Sequence, residues 1–402
     1  RFQEFNYEAM LHYNTALKNF TLNAFIGTNL MHQRRNINNG ETQGGLIIPE
    51  YYNLSNATSV LTTDKTYRKE IRSLLGNVSL GWKSMLFADA TFRNDWSSTL
   101  PANENSYFYP SFSGSFIFTE LEPVKAVSWL NFGKVRLGWA QVGNDTDPYS
   151  LSRTYEYKNS SFGGVPNYGL DIILNNAHLK PELTNSVEAG IELKLLNNRV
   201  GLDLTYYNNL TKNQIMQVPL AASSGYTSQW MNAGEISNKG LEVVLNVVPV
   251  QTANFQWEAT FNWSKNNNKV EKLNDQLKTL QIASSFVALH ATVGKPYGEL
   301  MGYNYVFDSE GNKVVAANGV YAKTAQTEGL GSVLPDWLGG VRNSFRYKNF
   351  DAGFLIDVRK GGYFYSITQQ YGMYSGTLEE TAANGIRSEE RRVGKECSFR
   401  CR

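Results

Sequence analysis

Cysteine is almost absent from this chain: its 402 residues contain two, Cys397 and Cys401, both among the last six positions. The long stretch before them cannot hold a disulfide scaffold or a thiolate metal site. Histidine is scarce as well. His12, His32, His178 and His290 are the whole supply, and none has a second ligand at zinc spacing. Charge of one sign is lacking, with a net +2, which argues against a strongly basic nucleic-acid surface and against an acidic tail. There is no apolar run long enough for a transmembrane helix. Helical periodicity does not persist for ten residues anywhere, and no fixed repeat of the propeller or solenoid kind is present. Catalytic motifs are missing too. There is no Gly-x-Ser-x-Gly elbow, and Gly294-Lys295 is followed by Pro296 where a phosphate loop needs Ser or Thr. The opening "RFQEFNYEAM" has no initiator Met, basic n-region or apolar h-region, so the chain is expected to be an internal piece of a longer protein.

What is there favours strands and turns. Aromatics make up 13% of residues, with 23 Tyr and 21 Phe, and Gly is plentiful. The stretch "VEAGIELKLLNNRVGLDLTYYN", 187–208, alternates with a period of two. Its apolar set is Val187, Ala189, Ile191, Leu193, Leu195, Val200, Leu202, Leu204 and Tyr206. Asn197-Asn198 suits a tight primed turn, because Asn tolerates positive φ. The register then sets Ile191 against Leu204 and Glu192 against Asp203, a like-charge pair with an unfavourable energy. Similar segments centre on Val78, Ala90, Phe116, Ala259 and Phe354. Roughly a dozen such segments of about ten residues each match tilted strands crossing a bilayer.

The connections are expected to be of two kinds. Lys83-Ser84 and Asn197-Asn198 are tight turns, whereas Thr28–Arg68, Gly143–Pro181 and Asn208–Lys239 are long and rich in Asn, Gly, Ser and Tyr. Short turns at one end with long loops at the other is outer-membrane barrel construction. Pro101, Pro110, Pro148, Pro181 and Pro219 are placed in connections, as ladder hydrogen bonding demands. A soluble sandwich would also alternate. Two features favour a barrel over it: polar faces of Gly, Ser, Thr and Asn rather than Lys and Glu, and aromatics gathered towards strand ends (Trp82, Trp96, Trp139, Trp257, Trp263).

From Arg387 the character changes. "RSEERRVGKECSFRCR" carries six Lys/Arg, three Asp/Glu and both cysteines, without alternation. "RSEERRVGKEC" resembles the translation of a common sequencing adapter. The expected organisation is therefore an incomplete outer-membrane β-barrel over 1–386 and a non-biological tail over 387–402.

Several longer strings go beyond pattern: "RNDWSSTLPANENSYFYPSFSGSFIFTE" (93–120), "WAQVGNDTDPY" (139–149), "LKPELTNSVEAGIELKLLNNRVGLDLTYYNNLTKNQI" (179–215), "NAGEISNKGLEVVL" (232–245), "GKPYGELMGY" (294–303), "PDWLGGVRNSF" (335–345) and "FLIDVRKGG" (354–362). In these strings the chain resembles the SusC/RagA family of TonB-linked outer-membrane proteins, in order across nearly all of 1–386. The resemblance implies an all-β fold: an antiparallel transmembrane β-barrel, here partial, cut from a roughly 22-stranded barrel and lacking its plug domain. It also implies an importer of oligosaccharides or peptides in the bacterial outer membrane, working with a SusD-like surface lipoprotein. TonB would engage through the missing N-terminal part. Competing readings are a passive porin-like channel and a soluble carbohydrate-binding sandwich.

No catalytic residue, metal site or cofactor is expected, and the partners are solute, lipoprotein, TonB and outer-membrane lipid rather than nucleic acid. Arg93, Asp95, Glu188, Glu192, Asp203, Glu258, Asp357 and Arg359 are expected to face a wet lumen. The carboxylates could be imagined as a glycosidase pair, but nothing in the pattern singles them out. Tyr51, Tyr52, Tyr226 and Trp230 lie in loops and could stack on sugar rings or simply pack the loops together.

Overall fold

The computed structural model describes residues 1–162, 165–274, 277–317, 319 and 321–382. The supposed tail 387–402 lies outside the described residues. The main element of the structure is a 12-stranded antiparallel sheet in which each strand pairs with the next in sequence order. The strands are β1 (Phe2–Leu17), β2 (Phe20–Leu46), β3 (Ala57–Trp82), β4 (Leu86–Ser97), β5 (Ser106–Ile117) and β6 (Leu130–Asn144). After a long excursion come β7 (Glu182–Leu195), β8 (Val200–Lys212), β9 (Glu235–Gln251), β10 (Phe255–Lys272), β11 (Trp337–Tyr347) and β12 (Phe350–Lys360).

Register carries the period-two pattern from strand to strand. Across β6 to β10, Val135, Ile191, Leu204 and Val243 lie side by side, followed by Trp263. One residue along, the row is Lys134, Glu192, Asp203 and Val244. One face is therefore aliphatic and aromatic over the whole sheet, and the other is polar. The apolar face is uncovered: Leu74, Val78, Leu80, Phe112, Leu137, Val187, Phe354 and Ile356 are all exposed. The remaining sheets have two to four strands. They belong to the long connections, and no second large sheet exists among the described residues. A soluble sandwich would bury this face, and a soluble monomer rarely shows so large an apolar surface.

The hairpin at 187–208 forms in the expected register, with Ile191 opposite Leu204 and Glu192 opposite Asp203. Pairing stops at Leu195 and Val200, so the loop has four residues. Asn197 and Asn198 at its centre take φ 57° and 62°, and Leu196 joins them at 55°. The short turns at this end of the sheet repeat the theme, with Lys18, Lys83, Ser84 and Lys348 all at positive φ.

Two expectations are corrected. The connections 28–68 and 208–239 are shorter than foreseen, since β2 runs to Leu46, β3 starts at Ala57, β8 reaches Lys212 and β9 begins at Glu235. Where both faces of a strand are wet, alternation fades while the hydrogen-bond ladder continues. Pro110 is not in a connection but inside β5, opposite Phe92. Pairing of β5 with β6 begins only at Ser111, so the absent N–H of Pro110 falls on the side without a ladder partner. A nine-residue helix, Ile367–Ser375, also forms late in the chain, capped by Ser366 and ended by Gly376 at φ 69°, within the ten-residue limit read from the sequence. Its weak amphipathic pattern gave no sequence signal.

Buried apolar side chains gather among the long connections rather than behind the sheet. One cluster joins Met216, Val218, Ala233, Val270, Leu273, Leu280 and Ala291. Another is Leu100, Tyr107 and Leu179. The strands 215–219 and 228–232 pair as a hairpin, and 279–284, 288–292, 299–302 and 328–332 form a four-stranded sheet. The long-loop end is thus a packed assembly with its own core.

Candidate functional site

All eight charged residues expected to share a surface do lie on the polar face, by register. They form three separate groups rather than one site. In the first, Arg93 donates from Nε to Asp95 Oδ1 at 2.8 Å and from Nη2 to Ser73 Oγ at 2.9 Å. The Tyr109 hydroxyl donates to the other Asp95 oxygen. Asp95 is buried, so this pair braces β3, β4 and β5 and has little left to offer a solute.

The second group explains the like-charge clash in the hairpin. Arg136 of β6 reaches across β7 to β8 and grips Asp203 with two hydrogen bonds, 3.0 and 2.6 Å, and donates to Thr205 at 2.5 Å. It crosses directly over Gly190. A Cβ at that position would lie 2.6 Å from Arg136 Nε, so glycine is what leaves the passage open. Lys134 sits opposite Glu192. Asp203 is thus neutralised by Arg136, and a second cation of β6 stands in register with Glu192. Hairpin sequence alone could not reveal this, because β6 precedes β7 by 37 intervening residues.

Glu188, by contrast, lines an open cleft of about 380 Å³ with Thr205, Tyr207, Asn209, Asn238, Glu242 and Asn266. Tyr207 lies flat on Gly240, where any Cβ would collide with its ring at 2.2 Å. The glycine of "NKGLEVV" thus seats the aromatic. Asn238 accepts from Asn266 and Asn268 at 3.0 and 2.9 Å. The sequence reading missed Arg136, Tyr207, Asn238, Glu242 and Asn266. Parity along β9 would have put Glu242 on the polar face, but only the register of β8 with β9 brings it beside Thr205.

The third group is dispersed. Glu258 accepts from Gln256 at 2.5 Å, and Asp357 leans over Gly340. Arg359 donates to the Val333 carbonyl at 3.0 Å and ties β12 to a long connection.

The four loop aromatics divide. Tyr52 is 86% exposed and Tyr51 53%. The Tyr226 hydroxyl accepts from Arg153 at 2.9 Å. Trp230 packs against Leu100, Tyr107 and Leu179 and belongs to the loop core. Trp230→Ala should therefore destabilise the 213–234 segment by about 1–3 kcal/mol, read as faster proteolytic nicking there. Tyr52→Ala should change stability by less than about 0.5 kcal/mol, read from an unchanged melting midpoint.

A buried polar node anchors the start of the long 145–181 connection. Asp145, 5% exposed at its side chain, takes Lys69 Nζ at 2.5 Å, Ser97 Oγ at 2.5 Å and Thr99 Oγ1 at 3.1 Å. In the loop assembly, burial raises the Tyr297 hydroxyl pKa, and backbone N–H donors from Asn312 and Glu310 hold the Asp308 carboxyl low. Among the described residues no cluster of His, Cys, Asp or Glu is arranged to hold a metal ion.

Comparison with known proteins places this architecture. The family model "TonB dependent receptor-like, beta-barrel" matches residues 2–384. TonB-dependent receptor P26 of Formosa agariphila is 27% identical over 345 residues, covering 79% of this chain and 34% of that protein. TonB-dependent receptor SusC of Bacteroides thetaiotaomicron is 25% identical over 328 residues, covering 74% of this chain and 32% of that protein. The structure of the RagAB peptide transporter superposes with a TM-score of 0.72 at 19% identity, covering 88% of this chain and 41% of that one, which supports the fold. The chain spans about a third of the length of the curated relatives it matches. An uncovered apolar face, a polar opposite face and a sequential antiparallel meander fit that family model, which spans nearly the whole sequence, and the chain belongs to the TonB-dependent receptor-like β-barrel family.

Proposed function

We propose that the complete gene product is an active outer-membrane importer of oligosaccharides or peptides, not an enzyme, and that this chain supplies part of its barrel wall. The reading rests on the family match over residues 2–384. It is supported by the relative named SusC and by the similar structure described as a peptide transporter. The apolar face meets lipid, and the polar face, with all eight charged residues, lines the lumen. The packed long-loop end faces outwards, as barrels place their longer loops outside the cell. There a SusD-like lipoprotein would cap the barrel, and TonB would engage from the periplasmic side.

Within the lumen, the cleft around Glu188, Tyr207 and Glu242 is the stretch of wall best equipped to touch solute. It combines two carboxylates, three amides, a hydroxyl and a phenol ring in one open concavity. Acceptors and donors mixed in that way suit a ligand rich in hydroxyls or amides.

Uptake of labelled oligosaccharides and peptides by cells making the complete gene product tests the proposal. Accumulation that stops when the proton-motive force is collapsed is the expected result. Uptake that continues unchanged would overturn it in favour of a passive channel, and uptake of neither class would overturn the solute assignment.

A further inference from the structure

The strongest unexplained feature lies on the apolar side of the sheet, at its long-loop end. On β2 the apolar stripe runs from Phe20 to Leu30, and on β3 from Trp82 to Leu74. Ten residues rise about 34 Å, or about 25 Å vertically at barrel tilt, which is the height of one lipid-facing band. Tyr7 stands beside Leu30, and Trp96 lies beside Arg72, as an interfacial aromatic girdle would be placed.

Immediately beyond that band the same face turns cationic. His32 pairs in register with Glu70, and Arg34 lies directly opposite Arg68. Glu70 is the carboxylate of this patch, and it is taken: Arg72 Nε lies 2.8 Å from it and His32 Nδ1 3.3 Å. Arg34 has Asn36 as its hydrogen-bond partner, at 3.1 Å. The Arg68 guanidinium has no hydrogen bond or ion pair among the described residues, and both arginines are exposed. Two like charges directly across a strand pair repel, so this arrangement works against the fold unless something negative bridges it. A cleft of about 280 Å³ opens at the same spot, lined by Phe5, His32, Arg34, Arg68, Glu70 and Ser98 among others.

We propose that Arg34 and Arg68 bind the phosphate of an outer-leaflet glycolipid headgroup. The site lies at headgroup height on the lipid side of the wall, so a membrane lipid reaches it without leaving the bilayer. Two guanidinium forks suit a phosphate, which accepts several charge-assisted hydrogen bonds, and Phe5 offers the acyl side an apolar neighbour. Juxtamembrane arginines gain from anionic lipid in this way. The inference depends on the barrel orientation proposed above but on no particular solute.

The test uses the complete gene product and its Arg34→Gln/Arg68→Gln variant, with thermal unfolding followed in vesicles of phosphorylated outer-leaflet glycolipid, in vesicles of the same lipid dephosphorylated, and in uncharged detergent with or without inorganic phosphate. In phosphorylated lipid the parent should melt higher than the variant, and it should bind that lipid roughly tenfold more tightly. Without lipid phosphate the order should vanish or reverse, because the variant has lost a repulsive pair. Equal melting in phosphorylated lipid overturns the proposal. So does inorganic phosphate alone reproducing the difference, which would mark an adventitious ion only. If the double variant does not insert, Arg68→Gln alone carries the same comparison. Failure of the parent itself to enter any vesicle would instead count against the barrel reading.

Discussion

Asp145→Ala is expected to cost about 3–5 kcal/mol. The carboxylate is almost fully enclosed and holds three donors at once: Lys69 from β3, the hydroxyl of Ser97 at the end of β4 and that of Thr99 just beyond it. Truncation removes the acceptor and leaves the Lys69 ammonium, 17% exposed, without a counter-charge. An orphaned buried cation is far more costly than a lost surface ion pair, because it has given up most of its water and received nothing in return. Denaturant unfolding of the complete gene product in vesicles measures this. Asp145→Ala together with Lys69→Met should recover at least half of the loss, since the second change removes the stranded charge. An Asp145→Ala midpoint equal to the parent's would mean that the node holds nothing together.

The same residue shows what the sequence could and could not disclose. Asp145 stands in "VGNDTDPY", a string that carried the family resemblance, yet nothing local marks it as buried. Its partners lie 46 to 76 positions away and meet it only when β3 to β6 are zipped together. The wall itself was legible, because a period of two is a local property and each hairpin sets its own register. Ile191 opposite Leu204 followed from the hairpin alone. Arg136 over Gly190 did not, since that contact needs a third strand. The strand ends were misjudged for a related reason: above the bilayer no face is apolar, so 31–46 in β2 carries no alternation to read. Trp230 shows the opposite limit. An aromatic in a polar loop looks available to a ligand until the loop proves to have a core of its own.

The face assignment itself is exposed to a direct test at Ile191. This residue sits midway along the stripe Val187, Ala189, Ile191, Leu193 and Leu195, with Val135 and Leu204 beside it. Ile191→Arg places a cation near the bilayer midplane and should cost about 2–4 kcal/mol in vesicles. Glu192→Arg, one residue along and on the polar face beside Asp203, should cost less than about 1 kcal/mol. That contrast alone would also fit an apolar face buried under protein. Depth separates the two cases. Val187 and Leu195 lie about 13 Å along the strand from Ile191, close to the two interfaces, where an arginine reaches water or headgroups. Against lipid, the penalty should fall to about 0–1 kcal/mol at those two positions. Against a protein core no such gradient exists, because the cost would follow local packing rather than height. A penalty peaking at Ile191 and fading in both directions along β7 therefore identifies the bilayer as the solvent of this face. Equal penalties at all three positions would instead mean that protein covers it.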